Sequence, residues 1–543
     1  MIDPKTIIQI QQSLQDADST FRSNWQDQAN YIFPRESNIT EKLFAGSSRK
    51  FDRLYDTTGV TECERMASGL LTNMVPAGQK FFSLTTSDTE IQEMDVVKSY
   101  MARATEILHE DLFASNFILQ LGETLQSLIA FGTGCIFESW RDGLYFMDWD
   151  ISRFQILENF QGKVDTIYLK FPKTAQQAFK EWGDAVGESV LLAMQDEKKR
   201  NEVFWFIHVV RPRQHKNPRL EDSLNMAWES GYINVKDKVV VQEGGYPEFP
   251  YQIPRWAKTS GEVHGRGIGQ MILPQVKMVN ANKRDFNEMV NKIVNPHREI
   301  LESFEGDYDT TPGGRNDVME LPTSRVDETN FGNFPIGKDS LESERKIIKD
   351  AFFHDAFAPL TDLTGDRRNE LEIRQRIQES FRRIGTPIGR TESELFTPLI
   401  VRSFNLEIEA WIKTAGRQGI PPPPPELQGQ NLKVMYMGPL SLAQQNAEVT
   451  ASKQWVGLMA ETAEFLPGVM DNVDADSTAR RWGRVLGVNE EDIASEDDVQ
   501  AKREARQAEV QRQQALEAGQ LAADTYSKTQ KAPEEGSGAE QMT

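Results

Sequence analysis

Cysteine is almost missing: Cys63 and Cys135 are the only two in 543 residues. They share no metal-binding or redox spacing, so no disulfide framework is indicated and a reducing compartment fits. Positive charge is short as well. The formal charge of −21 opposes whole-surface adhesion to nucleic acid or to an anionic membrane, both of which need excess Lys and Arg. No run reaches the roughly 18 uninterrupted apolar residues of a membrane span, and Met1-Ile2-Asp3-Pro4-Lys5 leads into no signal-like stretch. The chain is expected to be neither secreted nor membrane-spanning. Catalytic signatures are scarce too. The sequence has no G-x-x-x-x-G-K-S/T, no G-x-G-x-x-G, no H-E-x-x-H and no G-x-S-x-G. No enzyme activity, cofactor or metal is therefore expected.

What is present argues for folding. Hydrophobic residues make up 38% and charged residues 26% of the chain, too apolar for general disorder, and the length exceeds one domain of about 100–200 residues. The expected fold class is mainly α with α+β portions. Ile7, Ile8, Ile10, Leu14, Phe21, Trp25, Ala29 and Ile32 recur at helical spacing until Pro34. Further helices are expected over 60–74 and from 90 to about 131, broken near Ser115-Asn116. Between 134 and 251 the pattern changes to short aromatic and β-branched runs such as Val203-Phe204-Trp205-Phe206-Ile207. That region reads as strands, interrupted by helical inserts at 174–182 and 188–199.

The segment 271–294 is the most informative. Ile272, Val276, Val279, Phe286, Val290 and Ile293 follow alternating four- and three-residue steps, with Lys283 in the one polar slot. This stripe suits one long helix packing on another, roughly 35 Å long. Pro274 is placed in its first turn, and Asn295-Pro296 ends it. A Gly- and Pro-punctuated lobe follows over 296–337. A returning helix is expected from Asp339, whose spacing to Glu342 resembles a capping box, with Leu341, Ile347, Ile348, Ala351 and Phe352 on its apolar face. The polar run Thr361-Asp362-Leu363-Thr364-Gly365-Asp366-Arg367-Arg368 reads as a loop. Beyond it a helix from 369 breaks at 385–389 and restarts with the box Thr391-x-x-Glu394, giving one long kinked helix to Gly416. A polyproline linker at 421–425, a strand at 432–436 and further helices complete the pattern, with 531–543 expected to be disordered.

Each candidate for chemistry has a plainer reading. Gly261-Glu262-Val263-His264-Gly265-Arg266-Gly267-Ile268-Gly269 has glycines before a helix but lacks phosphate-loop spacing, so a structural turn is expected. Asp471, Asp474 and Asp476 lack the turn glycine and closing Glu of a calcium loop and read as a helix cap. Lys277, Lys283, Arg284, Lys292, Lys346 and Lys349 either form a solvated, salt-bridged face or, in a ring of several copies, stack into belts that meet phosphates weakly. The residues alone leave both open.

Three stretches resemble one family. Leu54-Tyr55-Asp56-Thr57-Thr58-Gly59 with Met66-Ala67-Ser68-Gly69-Leu70-Leu71 and 76–84 is similar to the N-terminal signature of the head-to-tail connector, or portal, family of podoviruses. Arg255-Trp256, the glycine-rich loop and Leu273-Pro274 resemble that family's approach to its first stem helix. Asn369-Glu370-Leu371-Glu372-Ile373-Arg374-Gln375-Arg376 resembles the helix after its tunnel loop, though the family more often begins there with Thr-Ala.

The resemblance implies a ring-forming portal fold with wing, stem, clip and crown: a wing at 1–270, stem helices at 271–295 and 339–357 around a clip at 296–338, a tunnel loop at 358–368, and a kinked wing helix and strand at 369–440. A crown at 441–498 and a barrel helix at 499–530 complete it. It further implies a dodecameric homo-oligomer at one capsid vertex of the virion, assembled in the host cytoplasm. Its partners would be double-stranded DNA passing through the channel, the packaging motor (terminase), a tail adaptor, and capsid and scaffolding proteins, with no membrane. The six basic positions above, with Arg367 and Arg368, are then channel candidates, residues 361–366 the tunnel-loop tip, and the apolar stripe the stem packing between subunits. The rival is a scaffolding or internal virion protein without a channel.

Overall fold

The computed structural model describes residues 2–36, 38–40, 51–92, 94–216, 222–294, 334–357, 384–463, 465–485, 494 and 496–529. The expected clip, tunnel loop and C-terminal tail, together with 369–383, lie outside these, apart from the start of the returning helix. The chain divides into two compact units. The first comprises Met1–Leu84, Ala104–Pro422 and Val434–Ala447, and the second Thr85–Arg103, Pro423–Lys433 and Glu448–Thr543.

In chain order the elements begin with α1 (Pro4–Ala17), α2 (Ser19–Tyr31), α3 (Thr58–Met74), β1 (Phe82–Thr86), α4 (Thr89–Gln92), α5 (Asp95–Ala114) and α6 (Phe117–Phe131). Then come β2 (Ile136–Trp140), β3 (Leu144–Asp148), β4 (Phe154–Glu158), β5 (Val164–Thr174), α7 (Ala175–Trp182), α8 (Glu188–Gln195), β6 (Val203–Pro212), β7 (Trp228–Asn234), β8 (Val239–Tyr246) and β9 (Tyr251–Gln252). The long helices α9 (Ile268–Val294) and α10 (Phe334–Ala351) precede the short α11 (His354–Phe357). Helices dominate, and the strands from β2 to β9 are gathered in one block, as an α+β reading requires.

The strand block forms an antiparallel five-stranded sheet, β4-β5-β6-β7-β8, and a three-stranded sheet, β3-β2-β9. Side chains alternate across a strand. Tyr168, Ile207, Val209 and Ile233 therefore share one face, where Ile2 and Ile7 bury them under α1. Asp3 starts α1 by accepting the N–H groups of Lys5 and Thr6 at 3.2 Å each, just ahead of Pro4 in the first turn. The opposite face carries Phe206 and Tyr232, which meet Trp182 of α7 at 4.9 and 5.5 Å between ring centroids. Thr174 and Gln177 form a complete capping box that opens α7.

Four sequence expectations change in the helices. Pro274 is not in the first turn of α9, because that helix begins at Ile268; it sits in the interior and removes the N–H that would reach the Gln270 carbonyl. Asp339 caps nothing, since α10 starts at Phe334 with Pro335 in its first turn. Ile347 is 50% exposed, while Leu341, Ile348 and Phe352 are buried. Thr391 is not an N-cap either. Its backbone is helical, and its hydroxyl donates to the Pro387 carbonyl at 2.9 Å. Gly385–Thr391 instead runs through a π-helical turn, Glu392–Phe396, into Thr397–Lys413. Pro398 lacks the N–H that the regular ladder needs there, a recognised cause of such an interruption.

Within the second unit, Asp474 opens the helix Ala475–Val485 by accepting from the N–H groups of Asp476 and Ser477 at 3.1 Å each. Arg503 of the helix Glu496–Thr529 reaches the Asp476 carboxylate with both terminal nitrogens, at 2.7 and 2.6 Å. Residues 501–521 are exposed throughout, as the lack of an apolar stripe in that stretch requires.

Candidate functional site

Two polar brackets hold the roots of the long helices. In the first, the turn before α3 is pinned by Asn280 of α9. The Asn280 carboxamide oxygen accepts from the N–H groups of Tyr55 and Asp56 at 2.7 and 3.1 Å, and its nitrogen donates to the Arg53 carbonyl at 2.8 Å. Asp56 accepts from the Thr58 N–H at 2.9 Å and from Arg345 of α10 at 2.9 and 2.7 Å. Burial pushes the Asp56 carboxyl up, but the hydrogen bonds from Thr58 and the Arg345 guanidinium outweigh it and hold the group below its ordinary value. Gly59 lets α3 lie against α9, since a Cβ there would come within 3.1 Å of Val276. Farther along α3, Glu62 meets His354 of α11 at 2.8 Å.

These contacts fix direction. Going from Asp56 to Glu62, the partners on the first helix step back from Asn280 to Val276, while those on the returning chain step forward from Arg345 of α10 to His354 of α11. The two long helices are therefore antiparallel at their root. Asn282 and Glu344 link them directly at 3.0 Å.

The second bracket is built on Arg255, whose side chain is 2% exposed. It donates to Glu158, to the Gly162 carbonyl at 3.0 Å and to Glu394 at 2.6 Å, while its own N–H reaches Glu394 at 2.9 Å. The π-helical turn carries Glu394. A buried guanidinium with two carboxylates is satisfied by charge-assisted bonds. The glycine-rich loop then crosses the end of α6. A Cβ on Gly265, Gly267 or Gly269 would collide with backbone atoms of Ala130 or Gly132. Gly265 donates to the Thr133 hydroxyl at 2.9 Å and Arg266 to the Ala257 carbonyl at 2.7 Å. The loop spends these N–H groups on its own chain and works as a turn that launches α9.

Burial governs the two cysteines and His208. Burial pushes the Cys63 thiol up to about 12 and Cys135 well above its ordinary range. His208 lies between the Tyr251 hydroxyl at 2.6 Å and Ser230 Oγ at 2.9 Å, stacked on Tyr232, and burial alone pushes it down to about 3. A serine and a histidine meet there without an orienting carboxylate. Among the described residues, no group of three or more His, Cys, Asp or Glu side chains has an arrangement able to hold a metal ion.

A family model described as bacteriophage head to tail connecting protein matches residues 4–493. The chain belongs to that family. It is 26% identical over 518 residues to the "Probable portal protein" of Bordetella phage BPP-1, covering 94% of this chain and 92% of that protein. It is also 26% identical over 529 residues to the "Portal protein" of Salmonella phage epsilon15, covering 94% and 93%.

In this connector the basic positions divide. Lys277 is paired with Asp27 at 2.7 Å and Arg284 with Asp285 at 2.9 Å. Lys283 lies over the Phe286 ring at 5.2 Å, Lys349 is half-buried and Lys346 is exposed. The side chain of Lys292, and Arg367 and Arg368 altogether, fall outside the described residues, as does the run from Thr361 to Asp366. Of the apolar stripe, Ile272, Val276 and Val279 are buried, on a helix that packs against α2, α3, α6 and α10 of the same chain. Phe286 and Val290 are half-buried, and the Ile293 side chain is not described. Asn280, Arg255 and Glu394 were missed as anchors. Arg255 had a signal, a cation next to Trp256 in an otherwise uncharged stretch, whereas Asn280 had none.

Proposed function

We propose that this connector is a phage portal protein: a structural, non-catalytic component at the head-to-tail junction of the virion that forms a ring at one capsid vertex, through which the genome is packaged and ejected and to which the tail attaches. The observation that carries the reading is the antiparallel pair α9 and α10, rooted by Asn280 and Arg345 on one signature turn, with the chain from 295 to 333 inserted between them. Rigid rooting of two long helices suits a conduit wall, because load along the axis passes into the turn before α3 through bonds rather than through a hinge.

In this reading residues 296–338 form the clip, 358–368 the tunnel loop, and 441–530 the crown and barrel. Lys283, Lys346 and Lys349, with Lys292, Arg367 and Arg368, are the basic groups offered to DNA. Lys277 and Arg284 remain candidates as well, held in exposed ion pairs with Asp27 and Asp285 for which phosphates would compete. The acidity of the whole chain keeps such contacts transient. Mass measurement and negative-stain imaging of the purified full chain test the proposal: a closed ring with a central hole is expected, ordinarily a dodecamer, and a monomer or a particle without a hole would overturn it.

A further inference from the structure

We propose that a cavity between the N-terminal helices and the five-stranded sheet is a docking pocket for an acidic segment of a protein partner. The cavity has a volume of about 810 Å³ and is lined by Gln11 and Gln15 of α1, Arg22 of α2, Arg153, Lys170 of β5 and Trp205 of β6, among others. In a chain with 82 acidic and 61 basic residues, three cations converge there. Arg22 is fixed by donating to the carbonyls of Ser152 at 3.0 Å and Ile39 at 2.7 Å. Arg153 and Lys170 lie over the Trp205 ring, 5.2 and 5.9 Å from its centroid.

Among the described residues none of the three closes an ion pair with a carboxylate, in contrast to Lys277, Arg345 and Arg255. Burial presses the Arg22 guanidinium below its ordinary value, opposed only in part by the carboxylates of Asp150 and then Asp18, neither of which pairs with it among the described residues. Burial, and then the neighbouring Arg22, press the Lys170 ammonium below its ordinary value. A bound anion would offset these effects by its opposite charge.

The chemistry selects the ligand class. A cavity of this size accommodates several side chains rather than one small ion. A nucleic-acid site of this composition would use the tryptophan face as a base platform, but here cations already lie over that ring. Carboxylates, by contrast, match the arginine fork bidentately. The proposed docking invokes only side chains of this chain and does not rest on the ring proposed above.

The test is fluorescence anisotropy of a labelled octapeptide of alternating Glu and Asp, titrated with the full chain both assembled and dissociated, alongside an eight-nucleotide oligothymidylate. The peptide is expected to bind both forms, to be released as salt is raised, and to lose affinity about tenfold or more in R153Q/K170Q. R141Q/K180Q, whose charges lie outside the cavity, is expected to bind as the parent does. The salt titration uses the unaltered chain and stands even if R153Q/K170Q fails to fold. Absent binding, binding indifferent to both salt and R153Q/K170Q, or tighter binding of the oligonucleotide would overturn the proposal. So would binding to dissociated chains only, because a second copy would then be the occupant.

Discussion

Ile272, Val276 and Val279, on the first half of α9, are 8%, 3% and 1% exposed, whereas Phe286 and Val290 on the second half remain half-buried. One apolar stripe thus has two fates. Its root is covered by helices of the same chain and framed by the bracket that Asn280 and Arg345 form, and its outer half is left incompletely covered. A stripe read as a single seam is partly the core of one subunit. Among the described positions of the stripe, those of the outer half keep the more exposed area.

The largest expected effect separates the two halves directly. Val279→Asp places a carboxylate in a site with no partner and should destabilise the single chain by about 3–5 kcal/mol in chemical denaturation. Val290→Asp should change that stability by less than about 1 kcal/mol and act on sedimentation of the assembly instead. Equal losses of chain stability would erase the contrast.

A second effect comes from buried carboxyls in the same unit. Glu138 of β2 is fully buried, accepts from the Ser403 hydroxyl and stands near Arg402 and Glu248; burial dominates and pushes its pKa from 4.5 up to about 8. Glu407 is pushed up as well, by burial and then by Asp111 beside it. Between about pH 4.5 and 8 the folded chain therefore holds protons that the unfolded chain has released. Stability should fall as pH rises through that window and level off above it, by on the order of a few kcal/mol. Denaturation of Glu138→Gln across the same range should show a flatter profile, and an unchanged slope would remove Glu138 as a source.

The smallest expected effect is at the bracket itself. Arg345→Ala leaves the buried Asp56 carboxylate without its cation and should cost about 1–3 kcal/mol. Thermal unfolding at two pH values checks the cause: part of the loss should vanish once Asp56 is protonated at low pH. A loss that does not depend on pH would assign Arg345 a packing role alone.

Much of the architecture was legible because it follows from periodicity. The change from helical to strand patterning near 134 matches the placement of β2 to β9, and the break at Ser115-Asn116 falls between α5 and α6. Helix starts were misread wherever a box-like spacing lay inside a longer helix. Asp339 and Thr391 have acidic residues three positions on, but Pro335 and the helix from Gly385 begin the turn earlier. The polar brackets were hidden for another reason. Asn280 and Arg345 act over more than 200 residues of sequence separation on Tyr55 and Asp56, and no local pattern encodes such a pairing. The glycine-rich loop was legible as a turn, while the specific collisions that demand glycine arise only from the end of α6.

Hydrogen exchange along α9, compared between dissociated chains and the purified assembly, addresses the division of labour most directly. Amides from Ile272 to Asn280 should be slow in both states, and those from Lys283 to Val290 should slow only on assembly. Protection that rises at the root and not beyond it, or an outer half already slow in the lone chain, would contradict the account.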